Sequence, residues 1–113
     1  MLILYGLKNC DACRKARTWL EQRELDHRFH DFRADGLAPA LLERWADELG
    51  WEALLNRRGA TWRTLPESER ADLDRAKALA LMLAHPALIK RPILEAGDRC
   101  LVGFRADYYA QAL

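Results

Sequence analysis

Residues 1–20, MLILYGLKNCDACRKARTWL, decide the fold. Met1 to Tyr5 is a continuous apolar run closed by Gly6, and it reads as a buried strand. Ala12, Ala16, Trp19 and Leu20 then recur at helical spacing, so a helix follows after a short loop. Cys10 and Cys13 fall where the strand gives way to that helix. A thiol there meets the free N–H groups and the positive dipole end of the first turn, which favour thiolate over thiol. Lys8, Arg14 and Lys15 add positive charge close by in sequence. Cys10 is therefore the expected nucleophile. Cys13 lies about one turn further along the same face and is the expected resolving thiol, able to attack an adduct formed on Cys10 without a large motion.

Working outward, the periodic segment ends between Gln22 and Leu25, and His27 to Phe32 alternates as a half-buried strand does, completing a β-α-β unit. Pro39 suits the first turn of a helix carrying Leu41, Leu42, Trp45, Ala46 and Leu49 on one face, with Gly50 as its C-terminal cap. A short helical turn is expected from Trp51 to Leu55, and Asn56-Arg57-Arg58-Gly59 breaks the pattern. Thr64, Pro66 and Glu67 predict the start of one helix whose stripe runs through Leu73, Ala76, Leu79, Ala80 and Leu83 until Pro86 stops it. Ile93–Glu95 and Cys100–Val102 are short extended runs flanking the turn signal Ala96-Gly97-Asp98-Arg99, and Ala106–Leu113 is amphipathic. The order β-α-β, helices, β-β-α is that of a thioredoxin-like α/β fold. The expectation is one domain over residues 1–113, with a helical insertion at about 37–85 between its two halves.

Half of the 113 residues are apolar, 31% are charged and the formal net charge is +1, which argues against disorder and against a global nucleic-acid-binding field. Any basic site must be local. No stretch approaches the roughly 20 apolar residues of a membrane helix, and the N-terminus lacks a basic-then-apolar leader pattern, so a cytoplasmic protein with no membrane partner is expected. Of the three cysteines, Cys100 sits in an apolar strand and reads as a core thiol. His27, His30 and His85 offer no metal-ligand spacing, and no metal is expected. Trp45, Trp51 and Trp62 read as packing of the helical insertion, and Asn9 as a candidate cap of the first helix or a group orienting the thiolate.

Four segments carry a resemblance: Leu4-Tyr5-Gly6-Leu7-Lys8-Asn9-Cys10-Asp11, Lys15-Ala16-Arg17-Thr18-Trp19-Leu20, Leu55-Asn56-Arg57-Arg58-Gly59, and His85-Pro86-Ala87-Leu88-Ile89-Lys90-Arg91-Pro92-Ile93-Leu94. Together, and with Val102-Gly103-Phe104-Arg105 continuing the match, they resemble the arsenate reductase (ArsC) family and most closely its YffB-type branch. The resemblance implies that Cys10 is the nucleophile and that arginines matching Arg58 (or its neighbour Arg57), Arg91 and Arg105 bind the anionic substrate or glutathione, with Lys8 as an electrostatic helper. It also implies a cis peptide at Arg91-Pro92, and glutathione as co-substrate with no tightly bound cofactor. Guanidinium forks suit oxyanions and carboxylates better than ammonium does, in keeping with that assignment.

One stretch departs from the YffB pattern. Cys13-Arg14-Lys15-Ala16-Arg17 resembles the regulator branch typified by Spx, which carries Cys-x-x-Cys followed by Arg-Lys-Ala-Arg and binds RNA polymerase. Two functions are therefore expected in competition. The leading one is a thiol oxidoreductase acting on a disulfide, a glutathione adduct or an oxyanion such as arsenate, resolved by Cys13 or glutathione. The alternative is a redox-sensing partner of RNA polymerase that is switched by a Cys10–Cys13 disulfide.

Overall fold

A computed structural model describes residues 1–113. In chain order the elements are β1 (Leu2–Gly6), α1 (Asp11–Gln22), β2 (His27–Asp31), α2 (Pro39–Leu49), α3 (Trp51–Leu54), α4 (Ala60–Thr64), α5 (Glu67–Arg70), α6 (Arg75–Ala84), β3 (Ile93–Ala96), β4 (Arg99–Val102) and α7 (Ala106–Ala112). They divide into two compact units, one formed by residues 1–36 and 91–113, the other by residues 37–90. No helix is long and apolar enough to cross a membrane.

The first unit is a four-stranded sheet in the order β2-β1-β3-β4, the mixed α/β arrangement of a thioredoxin-like fold. β1 and β2 are parallel, from Leu2 opposite His27 to Gly6 opposite Asp31, whereas β3 runs antiparallel to both β1 and β4. Register decides what each face carries. Leu4 stands opposite Leu94, and Leu94 opposite Leu101, so all three point to one side, where they join Ala16, Trp19, Leu20 and Tyr109 in a single apolar cluster. Burial of each large side chain there contributes on the order of 2 kcal/mol. Within it the Tyr109 ring meets Trp19 edge-on at 5.5 Å and Phe104 at 4.9 Å. Arg23 covers the outer face of Trp19 at 3.9 Å, which lets a wide aromatic close the core edge without exposing its face to water. On the opposite face Tyr5 donates its hydroxyl to Glu95 at 2.9 Å.

In the helical unit, α2 buries Leu42, Trp45 and Ala46. Gly50, at φ +86°, turns the chain from α2 into α3, a conformation that strains any residue with a Cβ. Leu55 pairs with Ile89, and the Asn56 N–H to Leu88 and Lys90 N–H to Leu54 hydrogen bonds, both 2.7 Å, tie the segment after α3 to the C-terminal end of the unit.

The single helix expected from Thr64 to Pro86 is two, α5 and α6, and the short helix α4 precedes them. Leu65 is extended, as a residue before proline prefers, which separates α4 from α5. Asp72 takes a left-handed conformation at φ +53°, and Asp74 starts α6 anew by accepting the Lys77 N–H on Oδ1 at 2.8 Å. The Lys77 ammonium in turn donates to the carbonyls of Ser68 and Ala71, which α5 leaves open. The buried residues of α6 are Ala78, Leu79, Leu81 and Met82; of the expected stripe Leu79 is buried and Leu73 and Leu83 are partly so, whereas Ala76 and Ala80 are exposed. Its sequence is apolar on nearly every side, so periodicity could not choose the face. Asp74→Ala should cost about 1 kcal/mol and fray α6 from its N-terminus, measurable by urea unfolding and by loss of amide protection at Lys77.

Candidate active site

The parallel pairing of β1 and β2 brings their C-terminal ends to one edge of the sheet, and the site is built there. The Phe32 N–H donates to the Gly6 carbonyl at 2.9 Å, and the Lys8 N–H donates to Asp31 Oδ2 at 3.0 Å, so the loop leading to Cys10 is fastened to the end of β2. Asp31 Oδ1 accepts from Arg33 N at 2.7 Å and Ala34 N at 3.1 Å. Burial alone would raise the Asp31 carboxyl, but these three N–H donors and the Lys8 charge hold it below the usual carboxylate range. The sequence pattern marks Asp31 only as one position of the alternating run His27 to Phe32. An aspartate closing a strand before a polar turn is the signal that marks such a residue.

Gly6 explains where Cys13 sits. A Cβ on Gly6 would lie 2.3 Å from Cys13 Sγ, so the sulfur occupies space that any side chain there would fill. Cys13 is 1% exposed, and burial pushes its thiol up to about 12, the neighbouring Cys10 adding to the rise. Cys10 is half-buried and occupies the position that caps α1. No side-chain oxygen fills that role, and the Cys13 N–H is directed at the Cys10 sulfur instead. Burial opposes the Cys10 thiolate, yet the Cys13 N–H and thiol together with the Arg91 guanidinium outweigh it and bring the group below its ordinary value. The pair is thus an outer sulfur biased towards thiolate beside an inner one held as thiol, and no disulfide joins any of the three cysteines.

The expected site residues fare differently. Arg91 acts on the Cys10 sulfur directly, and the Arg91–Pro92 peptide is cis. Arg105 lies in the same unit at the start of α7, exposed, with its guanidinium 2.9 Å from Asp107. Arg58 belongs to the helical unit, where with Arg57, Lys90, Asn56, Glu52 and Leu55 it lines a cleft of about 460 Å³. Asn56 Oδ1 accepts the Arg58 N–H at 3.0 Å, and Arg57 lies 5.8 Å and 5.9 Å from the rings of Trp51 and Trp62. Those two tryptophans therefore hold a cation as well as packing the unit. Asn9 is not the cap, because Cys10 takes that place; Asn9 and Lys8 are exposed on the loop before it. Arg14, expected to support the thiolate, pairs with Asp11. No group of three or more His, Cys, Asp or Glu is placed to hold a metal ion.

A thioredoxin-like sheet with a half-exposed and a buried cysteine across the start of its first helix defines a class of thiol-redox domains. A model of the ArsC family matches residues 5–112, and the chain belongs to that family. It is 53% identical to a solved YffB protein, covering 100% of this chain and 99% of that one at a TM-score of 0.96. An arsenate reductase related protein from Brucella melitensis is 45% identical, covering 97% and 92%, at a TM-score of 0.79. Among curated relatives, an uncharacterised protein of Haemophilus influenzae is 40% identical over 112 residues, covering 99% of this chain and 98% of its own. The global transcriptional regulator Spx of Enterococcus faecalis is 31% identical over 111 residues, covering 95% and 82%.

Two outcomes are expected. Arg91→Ala should raise the midpoint of the pH profile for Cys10 alkylation by iodoacetamide, slowing the reaction at pH 7 about threefold; the thiolate fraction falls while its intrinsic nucleophilicity rises in part compensation. Gly6→Ala should destabilise the fold by about 1–3 kcal/mol through overpacking, and the loss should shrink when Cys13→Ala removes the sulfur, as a double-mutant cycle by urea unfolding would show.

Proposed function

We propose that this chain is a small thiol oxidoreductase whose nucleophile is Cys10 and whose natural substrates are glutathione-containing or other small disulfides. The observation that carries the reading is the opposite treatment of two neighbouring thiols: Cys10 lowered under Arg91 and half-exposed, Cys13 buried and pushed up to about 12. The Cys10 thiolate attacks one sulfur of a disulfide, forming a mixed disulfide and expelling the other sulfur as thiolate. The same thiolate can form a bond to the arsenic of arsenate, one arsenate oxygen leaving as water after taking a proton from solvent. Arg91 stabilises the attacking thiolate, and Arg105 and Lys8 supply positive charge in the same unit. Arg58 is assigned to anion binding on its motif and on the basic cleft it shares with Arg57 and Lys90.

Two routes resolve the mixed disulfide. Cys13 can lose its proton and attack Cys10 Sγ, expelling the substrate sulfur as thiolate and leaving a Cys10–Cys13 disulfide, or a glutathione thiolate from solvent can attack the substrate sulfur, forming a new glutathione disulfide with it and returning Cys10 as thiolate. The high proton affinity of Cys13 favours the second route. Part of that affinity comes from the Cys10 charge and disappears once Cys10 is in a mixed disulfide, but burial, the largest cause, stays. A specific observation favours a second reading, a redox-responsive regulator acting on RNA polymerase: the run Cys13-Arg14-Lys15-Ala16-Arg17 together with the Spx relatives. Binding of purified RNA polymerase that is absent in both the dithiol and the disulfide states would reject it.

Turnover of glutathione mixed disulfides by Cys10→Ser should fall below detection with the fold unchanged by circular dichroism, and retained turnover would overturn the reading. Cys13→Ser should keep at least about half of the activity if glutathione resolves, and lose nearly all of it if Cys13 does.

A further inference from the structure

We infer that the cleft lined by Leu7, Lys8, Asn9, Asp31, Arg33 and Ala34, one wall of which is the loop leading into Cys10, is a subsite for the carboxylate end of an anionic thiol of the glutathione type, held while its sulfur is joined to Cys10. The inference rests on the thiol-oxidoreductase reading and extends it to a residue, Arg33, that neither the sequence motifs nor the arginines of that reading include. The cleft encloses about 340 Å³, within the range of small-molecule sites. It lies outside the carboxyl ends of the parallel strands β1 and β2, the edge of an α/β sheet where ligands bind. Lys8 and Asn9 immediately precede Cys10, so the loop that carries the nucleophile also forms part of the lining.

The chemistry of the lining selects an anion. Lys8 and Arg33 are exposed, on separate loops, and neither side chain is in an ion pair, whereas Arg14, Arg75 and Arg105 each have a carboxylate partner. The one carboxylate in the lining, Asp31, is occupied: Oδ2 accepts the Lys8 N–H, and Oδ1 accepts those of Arg33 and Ala34. The neighbouring Asp35 carboxylate is turned to the Asp31 N–H at 2.9 Å and is not part of the lining. Asp31 thus works as a clasp. It fixes the backbones that carry both cations, so little loop ordering remains to be done when a ligand arrives. Leu7, buried at 6% exposure, and Ala34 give an apolar floor for a methylene chain, and the Arg33 guanidinium can take a carboxylate with two parallel hydrogen bonds.

The test compares two disulfides. Rates of adduct formation on Cys10, read by intact mass, are measured with glutathione disulfide, which is anionic, and with bis(2-hydroxyethyl) disulfide, which is neutral. Arg33→Glu should slow the first about tenfold and leave the second unchanged. Arg99→Glu, which makes the same change of net charge at the hairpin turn beside the opposite end of β1, should leave both rates as they are. Equal slowing with both disulfides, equal slowing in the two variants, or no slowing at all would overturn the subsite. Arg33→Gln, with an intact circular dichroism spectrum, provides a milder version should the charge reversal disturb folding, and it should slow glutathione disulfide alone about threefold. If neither disulfide modifies Cys10 in the unaltered chain, the oxidoreductase reading itself fails; lost selectivity in a reactive chain removes only the subsite.

Discussion

Cys13 Sγ fills the space that a side chain on Gly6 would take, and the arrangement of the site depends on this close approach of helix to strand. Because Gly6 has no Cβ, the first turn of α1 can settle against the end of β1 with a sulfur between them. That settling buries Cys13 and leaves Cys10, three residues earlier, at the half-exposed corner where the chain enters the helix. One contact thus sorts two chemically identical groups into an inner, buried thiol and an outer one more easily ionised.

The electrostatics follow from the same geometry. Desolvation acts on both sulfurs and raises both, but only Cys10 has compensation large enough to reverse it, from the Cys13 N–H and thiol and from Arg91. Positive charge is plentiful, with 18 lysines and arginines in the chain, so the deciding matter is where each cation is spent. Arg14 and Arg105, both near Cys10 in sequence or in motif, are turned to Asp11 and Asp107. Arg91, far away in sequence, reaches the sulfur. Asp31 performs the complementary task for the backbone, joining the β1–α1 loop to the turn after β2 through three N–H groups.

Much of the fold could be read directly. The apolar run at the start, the helical spacing after Cys10, the alternation in β2 and the hairpin signal at Ala96–Arg99 each have one period and clear punctuation, and the observed elements match them to within a residue or two. The stretch from Thr64 to Ala84 misleads for a physical reason. Pro66 and Asp74 are both legitimate helix starts, and Ala, Leu and Met on almost every side of α6 leave no polar face to fix its phase. Which stop signals win, and which face is buried, depends on partners that a local pattern does not contain.

The site divides in the same way. The sequence by itself determined that two thiols stand three apart at a strand-to-helix junction, because strand, loop, helix and Cys-x-x-Cys spacing are all local properties of the chain. Only the tertiary structure decided that Cys10 rather than Asn9 takes the capping position, that Cys13 is sealed by Gly6, that Asp31 clasps the loop, and that Arg91 is the cation on the thiolate. Those outcomes turn on burial and on distances between residues as many as 81 positions apart along the chain, from Cys10 to Arg91. Coulomb attraction and desolvation depend on separation in space, which residue order alone does not encode.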